Sequence, residues 1–276
     1  MGNHTITRCA AAICMLVAAS LCSQGCSSSP PARNGSSGRT SVSDWRDTWD
    51  DGIPEPTGST ESSQAGRTVR LGTSEQGRSI KATVFDGSAG SVLILGGIHG
   101  DEPSSAAMVE QLVRHLRRNP EDRANKTVVC LPRANPDGLR RGTRGNASGV
   151  DLNRNFMTYN FDSGERNGPS ALSEAESQAL VTAISRFEPS CIVSVHADLD
   201  CIDPDGGRRS TRLARRMASV SPLPFKDLEA KNGSLGSYGG NTLGVKMITY
   251  ELSHDHPSSV RFGPHLQALL LAIREG

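Results

Sequence analysis

The sequence predicts an α/β fold, a single domain built on a mixed, mostly parallel sheet sandwiched by helices. Two observations predict it. Short β-branched runs recur from residue 68 to residue 250 without the polar alternation of a half-solvated strand. Between them lie longer stretches with helical spacing and recognisable helix starts. Strands interleaved with helices in this way form a sheet covered on both faces, and ligands then belong in the loops at the strand ends.

The elements follow in order. Thr68–Leu71, Ile80–Phe85, Ser91–Leu95, Thr127–Leu131, Cys191–Val195 and Val245–Tyr250 read as strands. Pro103–Arg118, Ser173–Phe187, Arg208–Val220 and Pro257–Ile273 read as helices. Ser173 and Glu176 have the spacing of a capping box, and Pro257 suits a first helical turn. Arg208, Arg209, Arg212, Arg215 and Arg216 recur at helical spacing and read first as a solvated helix face.

Composition sets limits on function. With 276 residues, 36% hydrophobic, the chain has enough apolar side chains for a real core. Its 30 Lys+Arg nearly balance 29 Asp+Glu, which argues against a nucleic-acid partner. There is no glycine period, long heptad run or second long apolar stretch, so collagen, coiled-coil and multi-span membrane classes are excluded.

The N-terminus reads as an export signal over residues 1–25. His4 and Arg8 precede the apolar stretch Ala10 to Leu21, and Ser23-Gln24-Gly25-Cys26 follows it. A small residue before a cysteine at this place resembles a bacterial lipoprotein cleavage site, with Cys26 acylated and anchoring the chain to a membrane. Ser23 departs from the usual aliphatic residue, so a simply cleaved signal or an uncleaved anchor stays open. Residues 26–66 then form a linker. From Ser27 to Gly66 there are ten Ser, five Gly and four Pro, a composition that cannot bury a core. Trp45 and Trp49 would share a face of a short helix, as a docking element or as part of a solvated tether. The domain is expected over 67–276, at an exported, membrane-anchored position.

Seven cysteines do not make a disulfide scaffold. Cys9, Cys14 and Cys22 lie in the signal and Cys26 would carry lipid, leaving Cys130, Cys191 and Cys201. Cys130 reads as a buried thiol, and Cys191 with Cys201 as a pair open to oxidation.

The chemistry lies at strand ends. Val92 to Leu95 runs into Gly96-Gly97-Ile98-His99-Gly100-Asp101-Glu102-Pro103, which puts His99 and Glu102 three apart at a strand-to-helix junction. An imidazole and a carboxylate converging there suit zinc, which needs a third protein ligand and an open position to be catalytic. By itself the pair also fits a polar turn with a capping glutamate. Cys191 to Val195 ends at His196. Of the seven histidines, only His99 and His196 directly follow apolar strands.

Between them stand Asn135-Pro136-Asp137-Gly138, Arg141-Gly142-Thr143-Arg144 and Val150-Asp151-Leu152-Asn153-Arg154-Asn155-Phe156. With Gly72 to Ile80, Val195 to Asp203, Gly233 to Tyr238 and Ile248 to Leu252, these motifs resemble the zinc carboxypeptidase family, particularly its compact bacterial branch, the murein peptide amidases. The resemblance runs from about Gly72 to the C-terminus. It implies one zinc held by His99, Glu102 and His196, with Asp151 orienting the first histidine. It implies Glu251 as the base and Arg141 as the group that steadies the carbonyl oxygen. Asn153 and Arg154 match the clamp on a terminal carboxylate. Tyr238 is expected in the substrate pocket or in packing beside it. The implied substrate is a small murein peptide, cut at the γ-D-glutamyl–diaminopimelate amide.

One departure concerns the loop upstream of Glu251. Residues 226–232 lack the tyrosine that covers the substrate in the larger digestive members. The residues leave two further readings open: a zinc deacylase of the aspartoacylase and succinylglutamate desuccinylase type, and a noncatalytic lipoprotein that binds wall peptides.

Overall fold

The computed structural model describes residues 65–253 and 262–276. The expected export signal, Cys26, Trp45, Trp49, the linker as far as residue 64, and Pro257 lie outside the described residues.

Seven strands form one mixed sheet in the order β1-β2-β4-β3-β5-β7-β6. They are β1 (Arg67–Thr73), β2 (Ser79–Phe85), β3 (Ser91–Leu95), β4 (Thr127–Leu131), β5 (Cys191–Ala197), β6 (Cys201–Pro204) and β7 (Lys246–Leu252). The central strands β4, β3, β5 and β7 are parallel to one another, while β1, β2 and β6 join antiparallel at the two sides. Every residue of β3 and β5 is buried, as expected of central strands covered twice. The short β6 carries Asp and Pro in its four residues and gave no strand signal in the sequence.

Among the described residues five α-helices accompany the sheet: α1 (Pro103–Arg118), α2 (Pro136–Arg141), α3 (Ala175–Phe187), α4 (Gly207–Ala218) and α5 (Phe262–Glu275). Alternate strand residues point to two apolar cores. Val92, Ile94, Val193 and Tyr250 pack with α1, α4 and α5, and Leu93, Leu95, Ile192 and Met247 pack with α3 and the β1–β2 hairpin. No helix among the described residues is long and apolar enough to cross a membrane.

Two expectations are corrected here. No capping box forms at Ser173: α3 begins at Ala175, the Ser173 hydroxyl donates to Glu174, and the Glu176 carboxylate accepts from Asn146 and the Glu75 amide instead. Cys191 and Cys201 are free and buried, as is Cys130. Strand β7 separates the first two, and Cys191 pairs with Lys246 whereas Cys201 pairs with Glu251, five residues further along. That separation exceeds disulfide reach. Burial pushes the Cys191 thiol up to about 12, so it is inert as a nucleophile.

Candidate metal centre

The loop from β3 to α1 is shaped by glycines. Gly97 has φ +65°, and a Cβ on Gly100 would lie 1.9 Å from the Gly138 carbonyl carbon, so the loop packs directly on α2. This close approach brings His99 to the sheet end and leaves Glu102 at the N-cap of α1. His196 is the penultimate residue of β5, and Glu251 is its neighbour on the parallel strand β7.

Three donors meet at one point. The ligand atoms of His99, Glu102 and His196 lie within 4.8 Å of one another, and all three residues are buried. Glu102 Oε1 is 2.7 Å from His99 Nδ1, and Oε2 is 3.1 Å from His196 Nδ1. The two Nδ1 atoms are 3.2 Å apart. Each imidazole is held from behind: His99 Nε2 is 3.1 Å from Asp151 Oδ1, and His196 Nε2 is 2.9 Å from the Ser194 hydroxyl. A carboxylate only accepts, and His99 has one at each ring nitrogen; a metal that took the place of the Nδ1 proton would leave Nε2–H donating to Asp151. Two nitrogens on a tetrahedral zinc are roughly 3.3 Å apart by the usual bond lengths. The donor set and its spacing therefore fit that ion.

The electrostatics agree. Burial alone would depress the His99 imidazole, but Asp151 and Glu102 outweigh it and raise the group to about 9. The Glu102 carboxyl, despite the opposing effect of burial, is held well below the usual range by His196 and His99. Both shifts mark a point that draws positive charge.

A cleft of about 660 Å³ opens beside this point. Arg144, Asn153, Arg154 and Glu251 line it. Arg144 donates through Nε to Asp151 Oδ2 at 3.0 Å and lies 3.4 Å from Glu102 Oε1, which fixes its guanidinium at the rim. Asn153 Oδ1 accepts from the Leu235 amide at 2.9 Å, and Arg154 donates to the Asn153 carbonyl at 2.6 Å. Burial, reinforced by Glu102 and only partly offset by His196, pushes Glu251 up to about 7. The loop without a tyrosine contributes Leu228, Glu229, Ala230 and Lys231 to the wall.

The structure thus brings together His99, Glu102, His196, Asp151, Asn153, Arg154 and Glu251. It does not bring in Arg141 or Tyr238. Arg141 is the last residue of α2 and its guanidinium donates to the Asn146 and Ala147 carbonyls. Gly142 then closes the helix at φ 66°, and Arg144, two residues on, lines the cleft. Tyr238 is buried with its ring 5.8 Å from that of Phe156, in the core rather than on the cleft wall. No role was assigned from the sequence to Arg144, although it stands in the Arg141-Gly142-Thr143-Arg144 motif, or to Ser194. The αL glycine after Arg141 was the signal for the first, whereas Ser194 had only its place two residues before His196 on the same strand face.

Comparison with known proteins agrees with this geometry. Residues 58–202 match the family model described as zinc carboxypeptidase. Murein peptide amidase A of Escherichia coli (strain K12) is 36% identical over 179 residues, covering 58% of this chain and 70% of that protein. The crystal structure of murein-tripeptide amidase from Escherichia coli O157 superposes with a TM-score of 0.61 at 30% identity, covering 75% of this chain and 91% of the other. Carboxypeptidase A from Helicoverpa armigera shares the fold, with a TM-score of 0.66 at 21% identity over 76% of this chain and 68% of its own. With the family model spanning more than half of its length and a zinc-binding donor set at the end of its sheet, the chain belongs to the zinc carboxypeptidase family of hydrolases.

Proposed function

We propose that this protein hydrolyses an amide bond in small murein peptides, the γ-D-glutamyl–diaminopimelate bond, using one zinc ion held by His99, Glu102 and His196. The observation that carries this reading is the convergence of those three donors beside Glu251, in a cleft also lined by Asn153 and Arg154. The likeness to murein peptide amidase A supports the substrate class.

Zinc, when bound, supplies Lewis acidity and lowers the pKa of water to about 7. Glu251 accepts a proton from the attacking water and delivers it to the leaving nitrogen, a task suited to a carboxylate whose affinity for protons has been raised toward neutrality. Arg144, held by Asp151 and Glu102, faces the carbonyl oxygen as it gains charge and needs no reorganisation to do so. In this role it replaces Arg141. The planar fork of Arg154, with the Asn153 amide, holds the terminal carboxylate of the substrate and sets which bond lies over the base. Asp151 and the Ser194 hydroxyl accept from the Nε2–H groups when the two imidazoles present Nδ1 to the zinc.

We also propose that residues 1–25 are removed and that Cys26 carries the lipid that holds the domain at the membrane, with residues 26–66 as its tether. Metabolic labelling with a fatty acid and mass analysis of the mature N-terminus tests this. The enzymatic reading is tested by incubating the zinc-loaded full chain with murein tri- and tetrapeptides and reading products by mass. Release of free diaminopimelate from the tripeptide supports it, and an intact peptide set refutes it.

A further inference from the structure

The outer face of α4 plays no part in the hydrolytic site. This helix buries Ser210, Leu213, Ala214 and Met217 and exposes Arg208, Arg209, Arg212, Arg215 and Arg216. At about 100° per residue the five arginines share an arc of roughly 120° on the side away from the buried stripe. No acidic residue interrupts them. Across α1, α4 and α5, which pack on one side of the sheet, nine arginines stand against two acidic residues, Glu110 and Glu275. Both are already paired, with Arg133 and Arg216. Because the whole chain has 30 Lys+Arg for 29 Asp+Glu, this face is a segregation of charge and not a sign of general basicity.

Among the described residues only Arg216 of the five forms an ion pair, with Glu275 at 2.6 Å. Arg209 donates to the Gly244 carbonyl at 2.8 Å, and the Arg215 guanidinium lies 4.1 Å from the centre of the Phe225 ring. Arg208 and Arg209 stand in the first turn, where the helix dipole is positive and a cation is disfavoured. The fold gains nothing from that placement, whereas an anion brought against the face is attracted by all five groups. Exposed apolar residues stand at both ends of it: Leu243 precedes Gly244, and Val220 follows the C-cap Ser219. Guanidinium groups grip phosphate in a bidentate way, and aliphatic tips beside them suit the acyl boundary beneath a layer of headgroups. A soluble polyanion would use the arginines and have no use for the aliphatic tips. The face also looks away from the cleft, since α4 packs on the side of Val195 and Tyr250, while His196 and Glu251, next to them in their strands, point to the other.

We propose that the outer face of α4 docks on the surface of a bilayer rich in anionic phospholipid, with its arginines on headgroup phosphates and Val220 and Leu243 at the acyl boundary. The docking is independent of which bond the cleft cuts and of whether Cys26 is acylated. It leaves the cleft open to a soluble peptide. Attraction between exposed charges is screened by salt, so the docking weakens as ionic strength rises.

The test uses the full chain carrying Cys26→Ser, so that no acyl group at that position contributes. Co-sedimentation compares vesicles of phosphatidylglycerol and phosphatidylcholine with vesicles of phosphatidylcholine alone. The chain should bind the anionic vesicles at least about tenfold more tightly, and the difference should shrink as salt is added. Arg208→Gln, Arg212→Gln and Arg215→Gln together should weaken that binding by roughly a hundredfold, and lysine at the same three positions should restore most of it. Removing as much charge from exposed arginines elsewhere, by Arg140→Gln, Arg166→Gln and Arg186→Gln, should cost less than about threefold. Val220→Ser with Leu243→Ser should weaken vesicle binding by roughly tenfold and leave binding of soluble poly(glycerol phosphate) unchanged. Melting temperatures and peptide hydrolysis in solution should stay at wild-type values throughout. Equal binding to the two kinds of vesicle, equal losses from the two arginine triples, or poly(glycerol phosphate) held more tightly than the anionic vesicles overturns the proposal.

Discussion

His196 and Glu251 are direct neighbours on the parallel strands β5 and β7, with their side chains on the same face of the sheet. Strand register alone therefore sets the proposed base beside a candidate metal ligand. One residue of slip in β7 would turn Glu251 into the opposite core, where Tyr250 now packs, so the pairing is enforced by burial on both faces.

Glu251→Gln keeps this packing and removes the base. Its kcat should fall by about 10²–10⁴-fold, with zinc content unchanged and peptide affinity retained. Glu251 is raised to about 7 and must be ionised to work, so wild-type kcat/KM should drop as pH falls below that value. Steady-state rates across pH check both statements. Turnover by the variant close to wild type would assign the base elsewhere.

Arg144 and Arg141 make a paired contrast. Arg144→Ala should cost about 10²–10³-fold in kcat, the size expected for losing a fixed donor to a developing oxyanion. Arg141→Ala should alter kcat/KM by no more than about threefold, because its guanidinium serves only the Asn146 and Ala147 carbonyls. The reverse ranking would restore Arg141 to the site.

Ser194→Ala leaves the His196 ring without its partner at Nε2. Zinc affinity, measured by competition with a chromophoric chelator, should weaken by about 10–100-fold. Asp151→Asn should do the same through His99. Unchanged affinity in both variants would show that the imidazoles are oriented by packing alone.

Asp205 links stability to pH. Its carboxyl is raised above the ordinary 3.8 to about 7 in the folded chain, so the folded state binds the proton more tightly than the unfolded one. Its stabilising contribution is complete below about pH 4 and is lost as pH rises toward 7. Asp205→Asn should flatten that part of the melting-temperature profile relative to wild type. Parallel profiles for the two proteins would contradict the burial of this group.

The longer helices and the central strands were legible because their apolar spacing is set by the sheet itself, whereas the six-residue α2 (Pro136–Arg141) is too short to show any. Pro103–Arg118, Ser91–Leu95 and Thr127–Leu131 stand where their sequences placed them. The two histidines of the candidate metal centre were legible because each follows a buried strand. Arg144 was hidden by the proximity of Arg141, and only the left-handed turn at Gly142 decides between them. The Ser173–Glu176 spacing looked like a helix start, but tertiary partners claim Glu176: Asn146 and the Glu75 amide lie 30 and 101 residues away in sequence. Tyr238 lies in a glycine-rich π-helical turn whose direction no periodicity predicts. Asp203 lay in a strand too short and too polar to be recognised, with Asp205 just beyond it, so the face that Asp203 shares with Glu251 emerged only from the β6–β7 pairing.

The central claim is that His99, Glu102 and His196 hold the zinc on which hydrolysis depends. Elemental analysis of the full chain purified under zinc-replete conditions tests it most directly, with His196→Ala beside it. One zinc per wild-type chain, mostly lost in the variant, with hydrolysis abolished by a chelator and returning in proportion to added zinc, is the predicted result. A wild-type chain that carries no zinc, or a His196→Ala variant that keeps its full complement, would contradict it.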